Sequence, residues 1–132
     1  MTILIGYVPT PEGEAALEHG LAEAATRGTD VVILNSPRRG ATVDANLLDA
    51  DQASKLVERA AEQGVTARVD QATRGSDIVE TFEALVATSG ADLVVIGLRH
   101  RSPVGKLVMG SDAQRLLLEL SVPILAVKPA PL

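Results

Sequence analysis

The chain has no cysteine and no tryptophan, and Tyr7 and Phe82 are its only aromatic residues. Without cysteine, disulfides and thiolate metal centres are excluded, and a reducing cytoplasm is the expected setting. Two aromatics cannot build a stacking platform for single-stranded nucleic acid. A formal net charge of −5 also argues against the basic face that a polynucleotide binder needs. No apolar run reaches the roughly 18 residues that span a bilayer. The opening MTILIGYVP carries no basic leader, so neither a signal peptide nor a membrane partner is expected. Acidic residues are missing from one long stretch, Leu93 to Ser111, in a chain that is acidic overall.

What is present suits one globular domain. Of 132 residues, 46% are hydrophobic and 22% charged, enough to bury a core without staples. Short β-branched runs alternate with helical patterns. TILIGYV (2–8) reads as a strand, and Thr10-Pro11 then opens a helix as N-cap and first helical residue. That helix runs to about Arg27, with Leu17, Leu21, Ala24 and Ala25 at helical spacing and Gly28 as C-cap.

DVVILNS (30–36) is a strand apolar enough to be buried on both faces. In the second helix Ala53, Leu56, Val57, Ala60 and Ala61 mark the inner face, with Asp44, Asp49 and Asp51 as a solvated start. VTARVDQAT (65–73) alternates like an edge strand. Ser76 is placed to cap a third helix, which carries a stripe of Ile78, Phe82, Leu85 and Val86. ADLVVI (91–96) and VPILAVK (122–128) are the last two strands. Between them Ala113, Leu116, Leu117 and Leu120 define a fourth helix.

Strict alternation of this kind implies an α/β fold: a single open five-stranded parallel sheet with helices on both faces. Ligands of such sheets bind beyond the carboxyl ends of the strands, where the winding reverses. With the first and fourth strands adjacent at the reversal, residues 7–10 and 97–101 meet in one crevice. The segment GLRHRSPVGKLVMGS (97–111) brings Arg99, Arg101 and Lys106 there, with His100 beside them. A cationic loop leading through Gly110-Ser111 into a helix is a common way to build an anion site. Ser111 and Gln114 also fit a capping box, so Ser111 has a structural alternative.

Several chemistries of this architecture are absent. GYVPTPEG after the first strand is not G-x-G-x-x-G, and Gly105-Lys106-Leu107 is not a P-loop ending. There is no G-x-S-x-G elbow, no phosphate-accepting aspartate at a strand end and no S-G-G-x-D-S turn. His19 falls on a solvated helix face. No His/Asp/Glu spacing suggests a metal site, and no general base is evident, so an enzyme is not expected.

Gly97-x-x-His100, then nine residues, then Gly110-Ser111, resembles the universal stress protein pattern G-x-x-G-x(9)-G-[ST]. The lead-in GADLVVIG and the closing VPILAVKP are similar to that family too, so the likeness covers residues 1–132 as one domain. The resemblance implies the adenine nucleotide alpha hydrolase-like fold with strand order 3-2-1-4-5. It implies an adenine nucleotide, usually ATP with or without Mg2+, held by Gly97, position 100, Gly110 and Ser111. Asn35 and Ser36 would border the base. Val8 and Pro9 lie at the first strand's end, and Arg99 and Arg101 offer phosphate forks.

The chain departs from the pattern at three points. His100 replaces a glycine, Val8 stands where nucleotide-binding relatives commonly carry aspartate, and Asp112 follows Ser111. Family likeness further implies a homodimer through strand 122–128; the expected mechanism is regulation, in which bound nucleotide orders residues 98–110 for a partner. The alternatives are a binder of AMP or cyclic AMP, a nucleotide-free dimer acting through protein contacts, and a weak ATPase.

Overall fold

The computed structural model describes residues 1–35, 47–71, 77–98 and 111–129, the side chain of Ser111 excepted. In chain order the elements are β1 (Thr2–Gly6), α1 (Pro11–Arg27), β2 (Asp30–Leu34), α2 (Ala50–Glu62) and β3 (Ala67–Asp70). Then follow α3 (Ile78–Ser89), β4 (Ala91–Gly97), α4 (Ser111–Glu119) and β5 (Ile124–Val127). The strands form one sheet in the order β3-β2-β1-β4-β5, and every neighbouring pair is parallel. The expected architecture is therefore the observed one, with β3 at an edge over Ala67–Asp70, shorter than the 65–73 expected, of which 72 and 73 lie outside the described residues.

Alternation of side chains across the sheet explains why its central strands are apolar throughout. Ile3, Ile5, Val31, Ile33 and Val95 face α1 and α2. Leu4, Val32, Leu34, Val94 and Ile96 face α3 and α4. Ile3, Leu4 and Ile5 are all fully buried, each worth about 1.5–3 kcal/mol of apolar burial.

Strand ends differ from the sequence expectation by a few residues. β1 stops at Gly6, although Tyr7 N still donates to Leu34 O at 2.9 Å, because Thr10 N turns back to Val8 O at 2.8 Å. β5 begins at Ile124, since Pro123 has no N–H to donate; its carbonyl still accepts from Val94 N at 3.0 Å.

The helices show how local chemistry sets their limits. Thr10 caps α1 by accepting from Gly13 N at 3.2 Å, and Gly28 closes it at φ 65°. A capping box starts α2: Gln52 N donates to Asp49 Oδ1 at 2.8 Å and Asp49 N to Gln52 Oε1 at 2.9 Å. The cap of α3 is Asp77, not Ser76, which lies outside the described residues; Glu80 N donates to Asp77 Oδ1 at 2.9 Å.

Three residues expected on inner faces prove exposed: Ala25, Ala61 and Leu117. Each follows a buried residue (Ala24, Ala60, Leu116), and a step of about 100° carries the next side chain off a narrow contact stripe. His19 is exposed, as expected. No helix among the described residues is long and apolar enough to cross a membrane.

Asp77 does more than cap. Arg115 Nη2 donates to its Oδ2 at 3.1 Å, tying α4 to the start of α3. The Glu80 N–H, and next the Arg115 guanidinium, hold the Asp77 carboxyl below the ordinary aspartate value of 3.8. A depressed folded-state pKa gives stability that is complete above 3.8 and is lost as pH falls through the folded value. In urea denaturation, the parent's advantage over Asp77→Asn should be largest above pH 5 and narrow in more acidic buffer, on the order of the shift's span. A gap independent of pH would show that the charge contributes nothing.

Candidate functional site

β1 and β4 lie side by side at the centre of the sheet, but the chain leaves them toward opposite faces. β1 feeds α1 above one face and β4 leads to α4 below the other. Their carboxyl ends therefore diverge and leave a crevice, the usual ligand position in such sheets. A cavity of about 350 Å³ occupies it.

Backbone packing at the crevice fixes one residue type outright. A Cβ on Gly97 would stand 1.9 Å from Glu12 O, so only glycine lets the first turn of α1 lie against the end of β4. Gly13 has the same role toward Val8 O, at 1.8 Å. The space left by the missing side chain of Gly97 is thus filled by protein.

The cavity floor is apolar, formed by Leu34, Ile78, Phe82, Ile96 and Leu116. Val8 and Leu98 line its rim with Gly97. Among the described residues the lining also includes Tyr7 and two acidic residues, Glu12 in the first turn of α1 and Asp112 in that of α4. No hydrogen bond or ion pair engages either carboxylate among the described residues.

The expected site residues fall into three groups. Val8 and Gly97 line the cavity, whereas Pro9 is exposed and lies off it. Ser36, Arg99, His100, Arg101 and Gly110 lie outside the described residues, as does the side chain of Ser111, the residue at which α4 starts.

Asn35 is fully buried with its amide turned into the protein. Its Nδ2 donates to Tyr7 O at 3.0 Å, while its Oδ1 accepts from Leu48 N and Gln71 Nε2, both at 2.9 Å. Asn35 therefore binds together the ends of β1 and β2, the approach to α2 and the residue after β3.

Asp112 follows Ser111 in the family motif and lines the cavity, while Glu12 and Phe82 are lining residues that the motif does not mark. The legible signal for Glu12 was its place in the first turn of the helix that begins over the crevice.

Beside the cavity, Tyr7 Oη donates to Glu14 Oε1 at 2.5 Å, and Arg59 Nη1 donates to Glu14 Oε2 at 2.9 Å. Burial, reinforced by the Glu14 carboxylate, pushes the Tyr7 hydroxyl well above its ordinary range, so it stays a donor. Burial also pushes the Glu14 carboxyl upward, but the bonds from Tyr7 and Arg59 and the Arg59 charge outweigh it and leave a net lowering. The chain Tyr7–Glu14–Arg59 thus joins β1, α1 and α2 at the crevice's flank.

Among the described residues no group of three His, Cys, Asp or Glu side chains is placed to hold a metal ion. What the wall offers is apolar contact, backbone polar atoms and two carboxylates. Replacing Asn35 by Ala leaves the Tyr7 carbonyl and the Leu48 N–H without this partner in a buried place. Stability should fall by about 2–4 kcal/mol in chemical denaturation. A loss below about 0.5 kcal/mol would show that the amide cluster is not holding the strand ends.

Known proteins with this sequence and geometry agree with one another. The family model described as the universal stress protein family matches residues 1–128. A universal stress protein of Mycolicibacterium smegmatis is 42% identical over 127 residues, covering 96% of this chain and 97% of that one. A solved universal stress protein from Archaeoglobus fulgidus superposes with a TM-score of 0.79 at 28% identity, covering 96% of this chain and 97% of the other. A universal stress protein structure from the same organism, in complex with dAMP, gives a TM-score of 0.72 at 22% identity over 96% of each chain. With a whole-length family match, a close full-length relative and the strand order 3-2-1-4-5 in place, the chain belongs to the universal stress protein family.

Proposed function

We propose that this universal stress protein binds an adenine nucleotide in the crevice between β1 and β4, and acts by regulation rather than turnover. The observation behind it is the cavity of about 350 Å³ at the reversal of the sheet, within the usual span of about 300–1,000 Å³ for small-molecule sites. Solved proteins of this fold hold dAMP, cyclic AMP or AMP, each with one phosphate. ATP, the nucleotide expected from the sequence, belongs in the same test.

In this reading the apolar floor takes the flat and hydrophobic parts of the ligand. Phosphate is met by the α4 start at Gly110-Ser111, with Arg99, Arg101 and His100 as cationic partners and Ser36 near the base. Asn35 acts indirectly, by fixing the Tyr7 carbonyl and the backbone around it. The occupied crevice then presents a ligand-dependent surface to a protein partner in the cytoplasm.

Two features favour a nucleotide-free member as the second reading. Glu12 O fills the space beside Gly97, and the described wall holds carboxylates rather than cations. Denaturing extraction of the purified protein followed by chromatography separates the two. An adenine nucleotide near one per chain is the expected result. An empty extract, with no thermal shift on adding ATP, ADP, AMP or cyclic AMP, leaves the nucleotide-free reading.

The proposed assembly is a homodimer through the C-terminal strand. β5 ends the sheet, carries no charge over Ile124–Val127, and leaves Ile124, Leu125 and Ala126 half-buried. An uncharged edge of this kind invites pairing, unlike the opposite edge, where Arg68 and Asp70 interrupt β3. Sedimentation equilibrium should give twice the chain mass at micromolar concentration. A monomer mass there would sink the proposal.

A further inference from the structure

Gly6 ends β1 at the crevice, and what it faces is a side chain rather than backbone. A Cβ added there would stand 2.9 Å from Phe82 Cζ and 3.7 Å from Ile96 Cγ2. The Phe82 ring thus reaches from α3 to the end of β1, with its tip against Gly6. Gly6, Phe82 and Ile96 all line the cavity. Glycine at position 6 gives the ring tip its seat.

Phe82 is only 3% exposed, so the ring has no open face on which a base could stack. It can act as a stop. Leu4, Leu85 and Val94 belong to the same core and are fully buried, so the ring has packed neighbours rather than room to retreat. The other floor residues, Leu34, Ile78, Ile96 and Leu116, are aliphatic. Burial area alone discriminates little among flat ligands, whereas a fixed stop discriminates by shape. The cavity of about 350 Å³ is near the bottom of the usual span of about 300–1,000 Å³, so the volume of one side chain matters.

We infer that Phe82 sets the depth of the base pocket, admitting a bare purine and excluding one enlarged at its buried edge. This rests on the nucleotide reading of the crevice and adds which feature of the base is read. Position 97 is limited by the backbone carbonyl of Glu12, but the limit at Gly6 is a side chain. Substitution at position 82 therefore changes the depth without moving a strand or helix end.

Titration calorimetry of the full chain compares AMP and ATP with their analogues carrying a propyl group at C2, N6 or C8. It is repeated for Phe82→Leu and Phe82→Ala, with circular dichroism as the check on folding. Leucine keeps the position apolar and tests the stop even where alanine unfolds the chain. The parent should bind the unmodified nucleotide and lose roughly 10-fold or more for at least one analogue. Both variants should regain that analogue relative to the unmodified nucleotide and keep the ranking of the others. A merely structural role would weaken every ligand by one factor.

An unchanged ranking in parent and variants, or a parent that takes every analogue as well as the bare nucleotide, would overturn the stop while leaving nucleotide binding intact. If neither AMP nor ATP binds the parent, the nucleotide reading fails and the stop with it.

Discussion

The carbonyl of Glu12 stands where a side chain at position 97 would have to go. At 1.9 Å from an added Cβ, this backbone contact leaves no soft neighbour to yield, so even alanine there must lift the start of α1 or bend the end of β4. Much of the molecule depends on that helix lying close. Along α1, Ala16, Gly20 and Ala24 are buried small residues that let its axis press onto the sheet above β1 and β4. The helix that covers the main core is therefore the same one whose first turn forms a wall of the crevice. Packing and site geometry are set by one contact.

The other side of the crevice is held by polar atoms instead. Parallel strands end with carbonyls and N–H groups that have lost their ladder partners, and a buried end must satisfy them elsewhere. Asn35 does so for three segments at once, with Gln71 closing the group by donating to both Asn35 Oδ1 and Leu48 O. Its amide supplies one donor side and one acceptor side, and both are used. A residue of the same volume without that pairing would leave the Tyr7 carbonyl and the Leu48 N–H without this partner, so its chemistry is explained before any ligand is considered.

The sheet was readable in the chain because its signals are redundant. ILI, VVIL and LVVI are apolar at every position, which only strands covered on both faces require, and right-handed crossovers then leave few arrangements. The family spacing begins at Gly97, which lines the crevice; Gly110 lies outside the described residues. Finer features were not readable for definite reasons. Ala24 and Ala25 are identical in kind, and only the width of the contact stripe separates a buried alanine from an exposed one. Ser76 and Asp77 are both good caps, and the choice falls to the residue whose oxygen also meets Arg115 from another helix. Asn35 is expected from the sequence to border the base, whereas the inward turn of its amide depends on Leu48 and Gln71, which lie 13 and 36 residues away in the chain.

Family membership and site chemistry carry different information here. Membership fixes the sheet, the reversal between β1 and β4, and the position of the crevice. It does not fix what the walls prefer, because one fold accommodates many ligands through a few side chains. Among the described residues the lining includes Val8, Phe82 and Leu116, with Glu12 and Asp112 in the first turns of two helices. Apolar burial gains about 25 cal/mol per Å² for any flat ligand that fits, so the floor supplies affinity with little discrimination. Charge works the other way. It adds little affinity for a neutral group but separates ligands sharply by their own charge. Gly97 and Asn35 meanwhile fix the backbone around the crevice before any side chain on its walls acts on a ligand.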